Sequence, residues 1–311
     1  MKISIVLPVY NEEGNIETLC RELKNVLQNV GDYEIIAVDD GSRDKSREIL
    51  ARLSKDDAHI KVINFRFNSG QTAAMSAGIK NATGDIIIPM DSDLQNDPAD
   101  IPRFLAKINE GYDVVSGWRK KRKDEMLRRK IPSKIANWII GEITGVKIHD
   151  YGCSMKAYKR DVIQGVQLYG EMHRFIPAYA NWRGAKVGEI VVNHRPRTNG
   201  VTKYGLSRTF KVVLDLIVIK FLSKYMNRPI HFFGGIGFWA LLLGFLTGAV
   251  SIFLKLAYDI SISRTPLPIL ASLFVIIGIQ FIVMGVLAEM LMRVYYSSGR
   301  EPYEIKEKIN L

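Results

Sequence analysis

Acidic and amide side chains follow an apolar run of the sequence at Asp91, Asp93 and Gln95. Two carboxylates at positions i and i+2 of a strand end can reach one hard cation, and the amide oxygen of Gln95 can join them. The pattern therefore predicts a Mg²⁺ or Mn²⁺ site. An Asp-x-Asp pair by itself is more often a turn or a helix cap, because Asp is common at both. Its position directly after a predicted strand favours the metal interpretation.

Two other apolar runs also end in polar residues. Tyr10 and Glu12 follow Pro8 at the end of the first run, and Asp39 and Asp40 end the second. A nucleotide-diphosphate sugar needs a polar clamp for its base and ribose, a divalent cation on its diphosphate, and room for its sugar. The three clusters together supply groups that could meet the first two needs.

The elements that must position these clusters alternate between strand and helix. Buried strands are predicted at residues 3–9, 33–38, 60–65 and 85–90, with a further strand at Val114 and Val115. Helices are predicted at residues 13–30, 44–54 and 70–82. This alternation predicts a doubly wound, mostly parallel α/β sheet. Ligands of such sheets bind beyond the carboxyl ends of the strands, where the polar clusters lie.

Two long stretches near the carboxyl end contain no charged residue, at 232–254 and 265–288. Each exceeds the roughly 20 residues that cross a bilayer, so we predict two transmembrane helices. The alternative is a pair of buried core helices in a soluble protein. Such helices rarely stay uncharged on all sides, and Gly234, Gly235, Gly237, Gly244 and Gly248 would penalise them.

Basic residues flank these apolar stretches in a chain of formal net charge +11. They are Lys203, Arg208, Lys211, Lys220, Lys224 and Arg228 on one side, and Arg293 and Arg300 on the other. Cytoplasmic segments carry an excess of Lys and Arg, so both chain ends are predicted to be cytoplasmic. We expect a multi-pass protein of the inner (plasma) membrane whose connecting residues 255–264 face the opposite side.

These patterns divide the chain into four regions. The sheet domain takes residues 1–205, interfacial amphipathic helices 206–229, the two transmembrane helices 230–292, and a cytoplasmic tail 293–311. The interfacial assignment follows from apolar and basic residues that alternate at helical spacing. Only Cys20 and Cys153 are present, which predicts no disulfide framework and agrees with a reducing compartment.

Basic residues also crowd at positions 119–123 and 128–130. A run of like charges is usually a solvated face or a flexible loop. The sequence around it has no recognised nucleic-acid module and little aromatic interleaving, so nucleic acid is not an expected partner. The apolar stretches in the same chain favour anionic lipid headgroups instead.

The sequence resembles the family-two glycosyltransferases of GT-A fold, specifically the branch that acts on polyprenyl phosphates. That branch includes dolichol-phosphate mannose synthases and undecaprenyl-phosphate sugar transferases. The resemblance rests on Pro-Val-Tyr-Asn-Glu-Glu at 8–13, Val-Asp-Asp-Gly-Ser at 38–42 and Asp-Ser-Asp-Leu-Gln at 91–95, in the family's order and spacing. Two carboxyl-terminal spans match its bacterial members.

The resemblance implies roles on the donor side. The nucleoside is held by Pro8, Tyr10, Glu12 and Asp40, with Asp39 nearby and Asp40 as the base contact. Magnesium or manganese is held by Asp91, Asp93 and Gln95. Residues 200–204 resemble a Gly-Glu-Ser-Lys loop that folds over the donor, which makes Lys203 a diphosphate contact, although Val201 stands where an acidic residue is common.

The resemblance also implies that Arg119, Arg129 and Ser133 bind the phosphate of the lipid acceptor. Bonds from Arg to phosphate are strong and directional. Trp118 replaces a smaller family residue, and simple attraction of the basic loop to anionic membrane is an alternative that is compatible with the clamp. Residues 150–158 resemble the segment that borders the sugar pocket, closest to the aminoarabinose-type transferases. Asp150 and Cys153 could equally be a structural turn and a buried thiol.

The expected function is transfer of a sugar from a nucleotide-diphosphate sugar, a UDP-sugar, to undecaprenyl phosphate for the cell envelope. A phosphate is already a nucleophile at neutral pH, so no general base is needed and direct displacement inverts the anomeric centre.

A processive polysaccharide synthase is an alternative, but its Gln-x-x-Arg-Trp motif is absent. A non-catalytic membrane scaffold is a second alternative. The sugar, the base, the lipid and the subunit number stay open, and a homo-oligomer such as a tetramer is compatible with the resemblance.

Overall fold

The computed structural model describes residues 1–120, 140–142, 144–164, 172–182, 184–196, 229–261, 264–298 and 305–310. The chain forms two compact units. The first comprises Met1–Arg208 together with Glu301–Leu311, and the second comprises Thr209–Arg300. The second unit is therefore an insertion between two parts of the first.

A mixed sheet lies at the centre of the first unit. Its strands are β1 (Ile3–Val9), β2 (Tyr33–Asp39), β3 (Ile60–Phe65), β4 (Ile86–Pro89), β5 (Val114–Trp118), β6 (Lys156–Lys159), β7 (Val187–Val191) and β8 (Ile305–Ile309). In the described residues they follow the order β7-β5-β6-β4-β1-β2-β3-β8. The block β4-β1-β2-β3 is parallel, whereas β6 runs antiparallel to both β4 and β5.

Helices cover both faces of this sheet. They are α1 (Ile16–Leu27), α2 (Ser46–Asp56), α3 (Gln71–Asn81), α4 (Ile101–Asn109), α5 (Arg160–Ile163) and α6 (Ile176–Trp182). Alternate residues of β1 face opposite layers, because side chains of a strand alternate. Ile5 packs in the cluster that includes α1 and α4, and Val6 packs in the cluster that includes α3 and α6. All seven residues of β1 are consequently buried.

The predicted doubly wound sheet is confirmed over the first 118 residues. Each predicted strand of the parallel block is present, and the helices begin and end within three residues of their predicted bounds. Strands β6, β7 and β8 were not predicted. Their sequences are short and carry lysine or glutamate, so no apolar run identifies them.

Strand β8 brings the carboxyl end of the chain back to the sheet. It pairs antiparallel with β3, in a register that joins Val62 to Ile309. The side-chain amide of Asn310 donates to the backbone oxygens of Ser54 at 2.9 Å and Ile60 at 3.3 Å. Residues 293–311 were predicted to form a tail, and part of this segment forms an edge strand that was not predicted.

The second unit contains two long apolar helices, α7 (Pro229–Tyr258) and α8 (Leu267–Ser298). Both could cross a membrane by length and composition, over Pro229–Tyr258 and Leu267–Leu291. Only 22% and 11% of their most apolar windows are buried, which is unlike the core helices of a soluble protein. Large apolar side chains such as Phe245 and Leu256 are 74% and 81% exposed. Lipid is the environment that suits such a surface.

Glycines let α7 and α8 approach each other closely. A Cβ atom on Gly237 would lie 2.7 Å from the backbone oxygen of Gly278, and one on Gly278 would lie 2.6 Å from Cγ of Leu241. Gly244 makes a similar approach to Val275. Close backbone approach through small residues is the common way in which membrane helices pack. Three of the glycines in the two apolar helices therefore have a packing role.

A buried carboxylate fixes the amino-terminal edge of the parallel strands. Glu34 is 1% exposed and accepts bonds from the Ser4 hydroxyl at 2.5 Å and the Thr83 amide at 2.6 Å. The Lys61 ammonium lies 2.8 Å from it. Burial alone would raise the pKa of Glu34, but Lys61, Ser4 and Thr83 outweigh it and lower that pKa to about 2. The ionised form of Glu34 is thus a stabilising element of the fold.

We predict that Glu34→Gln destabilises the first unit in a pH-dependent way. The folded pKa lies below the ordinary value of 4.5, so ionised Glu34 stabilises the protein above pH 4.5, and this is lost as the pH falls towards 2. The expected loss at neutral pH is on the order of 2–3 kcal/mol. Denaturation of the full chain in detergent at several pH values measures it. Glu48→Gln on an exposed position of α2 is the control, and a pH-independent difference would contradict the assignment.

Candidate functional site

The carboxyl ends of β4, β1 and β2 meet at one edge of the sheet, because these strands are parallel neighbours. Pro8 lies beside Val38 in this register. The Ser92 hydroxyl, in the turn after β4, donates to the Pro8 oxygen at 2.8 Å, and the Asp40 amide donates to the Val9 oxygen at 2.8 Å. The structure therefore places the three polar clusters at one edge.

Tyr10 and Glu12 lie in the turn after β1, where both are half-buried. The Glu12 amide donates to the Ser46 hydroxyl at 2.9 Å, and the Glu12 carboxylate accepts from the Asn15 amide at 2.6 Å. Asn11 between them has a positive φ of 56°, which Asn tolerates better than most residues. The bond to Ser46 joins the turn after β1 to the start of α2, and the bond from Asn15 stays within the turn.

Asp39 is completely buried and serves as an anchor for the second turn. Its Oδ2 accepts from the Nε of Arg47 at 3.1 Å and from the Nη2 of Arg47 at 3.0 Å. Its Oδ1 accepts from the Ser42 amide at 3.2 Å. Arg47 also donates to the Phe65 oxygen at the end of β3. Arg47 was not among the predicted site residues, although its charge complements a buried Asp eight positions earlier.

Asp40 is 3% exposed and holds the loop after β3. Its carboxylate accepts from the backbone amides of Ser69 at 2.6 Å and Gly70 at 2.9 Å, and from the Asn68 side chain at 3.0 Å. Burial raises the pKa of Asp40, and the two backbone bonds oppose that rise. Gly41 has a φ of 68°, and a Cβ there would lie 2.7 Å from the Phe67 backbone. The loop after β3 therefore packs directly on this turn.

Asp91, Asp93 and Gln95 lie in the turn after β4. Oδ1 of Asp91 accepts from the Gln71 side-chain amide at 2.6 Å, and Oδ1 of Asp93 accepts from the Gln95 backbone amide at 3.2 Å. Leu94 between them has a φ of 61° and packs against the core. A positive φ at Leu is costly, and such strain concentrates at functional sites.

The oxygen atoms of this turn fit a divalent cation that takes its remaining ligands from elsewhere. In the described residues, no group of three or more His, Cys, Asp or Glu side chains forms a closed metal site. Mg²⁺ is commonly held by one or two carboxylates, with substrate phosphates and water as the other ligands. Burial and the neighbouring Asp93 raise the pKa of Asp91, so a cation between the two carboxylates would relieve their repulsion.

Arg119 follows β5 and is paired with Asp150. The Nε of Arg119 lies 2.7 Å from Oδ2 of Asp150, and Nη2 lies 3.0 Å from Oδ1, with only 13% and 15% of the side chains exposed. Burial opposes the charge on each partner. The bidentate pairing outweighs it, so the pKa of Asp150 is lowered and that of Arg119 is raised. Arg119 thus lies at the predicted edge with its guanidinium oriented by Asp150, which was considered as a structural turn.

The segment between Asp150 and β6 rests on a buried cation. Lys156 is 2% exposed, and its ammonium donates to the backbone oxygens of Tyr151 and Cys153. Burial lowers the pKa of Lys156 to about 8. The Ser154 hydroxyl accepts from the Asn96 side chain at 2.9 Å. Burial raises the pKa of Cys153 to about 11, which makes an unreactive thiol and suits the structural interpretation.

Three predicted site residues, Arg129, Ser133 and Lys203, lie outside the described residues, as does most of the predicted interfacial segment 206–229. The predicted site residues did not include Gln71, Arg47 or Ser154, although Ser154 lies in the 150–158 segment that the resemblance placed beside the sugar pocket. Gln71 had an available signal, since it follows the third strand at the same edge as the carboxylates. Arg47 had no comparable signal, because an arginine in the first turn of a helix is usually exposed.

The fold and this edge define an α/β protein that binds its ligand beyond the carboxyl ends of parallel strands. Residues 4–166 match the family described as Glycosyl transferase family 2. The chain belongs to this family.

Curated relatives match the chain along almost its whole length. Dodecaprenyl-phosphate galacturonate synthase of Rhizobium johnstonii is 41% identical over 320 residues, with 99% of this chain and 93% of the relative covered. Undecaprenyl-phosphate 4-deoxy-4-formamido-L-arabinose transferase of Shewanella sediminis is 37% identical over 303 residues, covering 96% of this chain and 90% of the relative. The relatives thus span the sheet domain and both apolar helices.

Solved structures share the fold of the sheet domain. Glucosyl-3-phosphoglycerate synthase from Mycobacterium tuberculosis, in complex with Mn²⁺, UDP and phosphoglyceric acid, superimposes with a TM-score of 0.55 at 20% identity. The match covers 71% of this chain and 78% of that chain. Its complex with Mg²⁺ and UDP gives the same TM-score at 19% identity. The predicted GT-A fold is confirmed.

We predict that Arg119 and Asp150 stabilise the protein as a coupled pair. Removing one partner of a largely buried ion pair leaves the other charge unpaired, so Arg119→Met and Asp150→Asn should each cost on the order of 3 kcal/mol. The double variant should lose clearly less than the sum of the two. Chemical denaturation in detergent measures this double-mutant cycle.

The exposed pair of Arg52 and Glu17, at a similar 2.9 Å, supplies a matched control cycle. Its coupling should stay below about 1 kcal/mol, because water screens exposed charges. Strictly additive losses for Arg119 and Asp150 would contradict the pairing.

Proposed function

We propose that this protein transfers a sugar from a nucleotide-diphosphate sugar to the phosphate of a polyprenyl lipid. The observation that carries the proposal is the pair of Asp91 and Asp93 at the carboxyl edge, next to Arg119 and Asp150, in a chain with two membrane-length helices. Relatives of nearly the same length are named for sugar transfer to dodecaprenyl or undecaprenyl phosphate. A non-catalytic scaffold would have no use for the two carboxylates.

The donor is proposed to be a UDP-sugar held with Mg²⁺ or Mn²⁺. Structures of the same fold contain UDP with either cation. Asp91, Asp93 and Gln95 would hold the cation, which when bound supplies positive charge to the leaving diphosphate. Pro8, Tyr10, Glu12 and Asp40 would contact the nucleoside, with Asp39 fixing their turn. Lys203 would add a second positive charge at the diphosphate.

The acceptor phosphate is proposed to bind Arg119, Arg129 and Ser133. Asp150 leaves Nη1 of Arg119 without a hydrogen-bond partner in the described part of the chain, so this end of the guanidinium can donate to a phosphate. Undecaprenyl phosphate is the proposed lipid. Its phosphate oxygens are charged at neutral pH, because the second ionisation of a phosphate monoester lies near 6.

The proposed reaction is a single displacement. A phosphate oxygen, positioned by the arginines, attacks the anomeric carbon as the bond to the diphosphate breaks. The electron pair of that bond leaves with the nucleoside diphosphate, and the configuration at carbon inverts. No proton needs to be removed from the nucleophile, so the residues of the site contribute by orientation and charge.

The inner membrane is the proposed location, with the sheet domain and the carboxyl end in the cytoplasm. The helices of the second unit suit lipid, and basic residues flank them. Strand β8 supports this orientation, since the chain that follows α8 pairs with the same sheet that precedes α7. A homo-oligomer is compatible with this arrangement.

We predict that Asp93→Asn and Asp91→Asn abolish turnover while the protein keeps its fold. Each loses a hard ligand and the stabilisation of the leaving group, so the rate should fall about 100-fold or more. Release of the nucleoside diphosphate is measured with purified protein, Mn²⁺ and undecaprenyl phosphate over a panel of UDP- and GDP-sugars. Release should need both metal and lipid.

Asp56→Asn, on an exposed position of α2, is the control and should retain the wild-type rate. Near-normal rates for both Asp91→Asn and Asp93→Asn would refute the metal assignment.

We predict that Arg129→Ala impairs use of the lipid far more than binding of the donor. A charge-assisted hydrogen bond is worth about 1.5–3 kcal/mol, which corresponds to roughly a tenfold to hundredfold loss of kcat/KM for the acceptor. The measurement uses neutral detergent and a titration of undecaprenyl phosphate. UDP affinity should stay unchanged.

Lys130→Ala removes the same charge from the same basic run and serves as the control. If Arg129 only attracts membrane, anionic vesicles should rescue its variant, because that attraction is additive. An unchanged kcat/KM for Arg129→Ala in neutral detergent would refute the clamp.

A further inference from the structure

The carboxylate of Asp91 accepts a hydrogen bond from a residue outside the Asp-x-Asp motif, and a second hydroxyl lies near it. The Gln71 side-chain amide, at the start of α3, donates to its Oδ1 at 2.6 Å. The Ser154 hydroxyl, from the segment before β6, lies near Asp91 and opposes the rise in the pKa of that carboxyl. Because the Ser154 oxygen accepts from Asn96, its hydroxyl hydrogen is available to Asp91. A hydrogen bond from Gln71 and the Ser154 hydroxyl, which come from distant parts of the chain, thus meet at one carboxylate.

Gln71 lies at the end of a short segment that also binds Asp40, the carboxylate proposed to contact the nucleoside. The amides of Ser69 and Gly70 donate to Asp40, and the next side chain, Gln71, donates to Asp91. The Thr72 hydroxyl then lies 2.7 Å from Nδ1 of the buried His173. Consecutive residues therefore fix the carboxylate assigned to the base and the carboxylate assigned to the metal.

Packing does not explain the position of the Gln71 side chain. Gln71 is exposed, whereas Thr72, Ala73 and Ala74 behind it are buried and anchor α3 to the sheet. An exposed side chain is free to extend into water and loses conformational entropy when it is held. The bond to Asp91 offsets that loss. Since Gln71 is not part of the core, removal of this bond should leave the core of α3 intact.

We propose that Gln71 and Ser154 are positioning residues that orient the Asp91 carboxylate for the divalent cation. This inference rests on the proposed function and extends it beyond the metal ligands themselves. Hydrogen-bond donors that orient a metal-ligating carboxylate commonly contribute about 10-fold to 100-fold to metal affinity. Gln71 occupies Oδ1 of Asp91, so Oδ2 would be the oxygen available to the cation.

The test measures Mn²⁺ binding directly, by electron paramagnetic resonance of free Mn²⁺ in the presence of UDP. Gln71→Met keeps roughly the side-chain volume and removes the amide that donates to Asp91, so the Kd for Mn²⁺ should rise about 10-fold or more. The Mn²⁺ concentration for half-maximal turnover should rise with it. UDP binding without metal and the thermal midpoint should stay at wild-type values, because neither depends on this bond.

Two further variants keep the proposal decidable. Asn81→Ala removes an amide that donates to Ala77 at the other end of α3, and it should bind Mn²⁺ like the wild type. Ser154→Ala removes the second donor and should weaken Mn²⁺ binding in the same direction as Gln71→Met. It supplies an independent readout if Gln71→Met does not fold.

The outcomes separate this inference from the proposed function. Wild-type binding of Mn²⁺ by both folded variants would overturn the positioning role and leave the metal site standing. Loss of UDP binding in the absence of metal would show that Gln71 acts on the nucleoside side, which also overturns it. A wild-type protein that binds no Mn²⁺ with UDP would overturn the metal site and the positioning role together.

Discussion

Hydrogen bonding between β4, β1 and β2 forces carboxylates into one small region, and the rest of the site depends on how their repulsion is offset. Neighbouring parallel strands end at the same edge, so the residues that follow these strands lie close together. Asp39, Asp40 and Asp91 are each held by a different partner: Arg47, the loop at 68–70, and Gln71. Each partner comes from an element beyond the strand that carries the carboxylate. The turns are thus fixed by cross-links between elements as well as by their own sequences.

At the opposite edge of the same sheet, the charge of a buried carboxylate is compensated by neighbouring groups. Glu34 is as buried as Asp40, yet an ammonium and several donors lower its pKa to about 2. At the carboxyl edge the balance goes the other way, and burial raises the pKa of both Asp40 and Asp91. Carboxylates whose pKa is raised by burial and by a neighbouring charge are candidates for a ligand site. A cation and a polar nucleoside would supply what Lys61 supplies to Glu34.

The parts of this arrangement that were predictable from sequence are those that depend on local pattern. The run Ile3–Val9 is apolar throughout, which identifies a strand buried on both faces, and the same holds for the strand that ends at Asp39. The position of Asp91 then follows from the geometry of parallel sheets. No pairing partner could be deduced for β6 or β8, because short strands that contain lysine pair through contacts distant in sequence. The bond between Ser154 and Asn96, 58 positions earlier, could not be predicted for the same reason.

Strand β8 carries a constraint on the membrane arrangement that hydropathy alone does not provide. The chain leaves the sheet domain after β7, passes through α7 and α8, and rejoins the sheet beside β3. A sheet cannot form across a bilayer, so both ends of the two-helix insertion must lie on the same side. An even number of crossings satisfies this condition, and a single crossing does not. The basic residues that flank the two helices are the basis of the proposed cytoplasmic orientation.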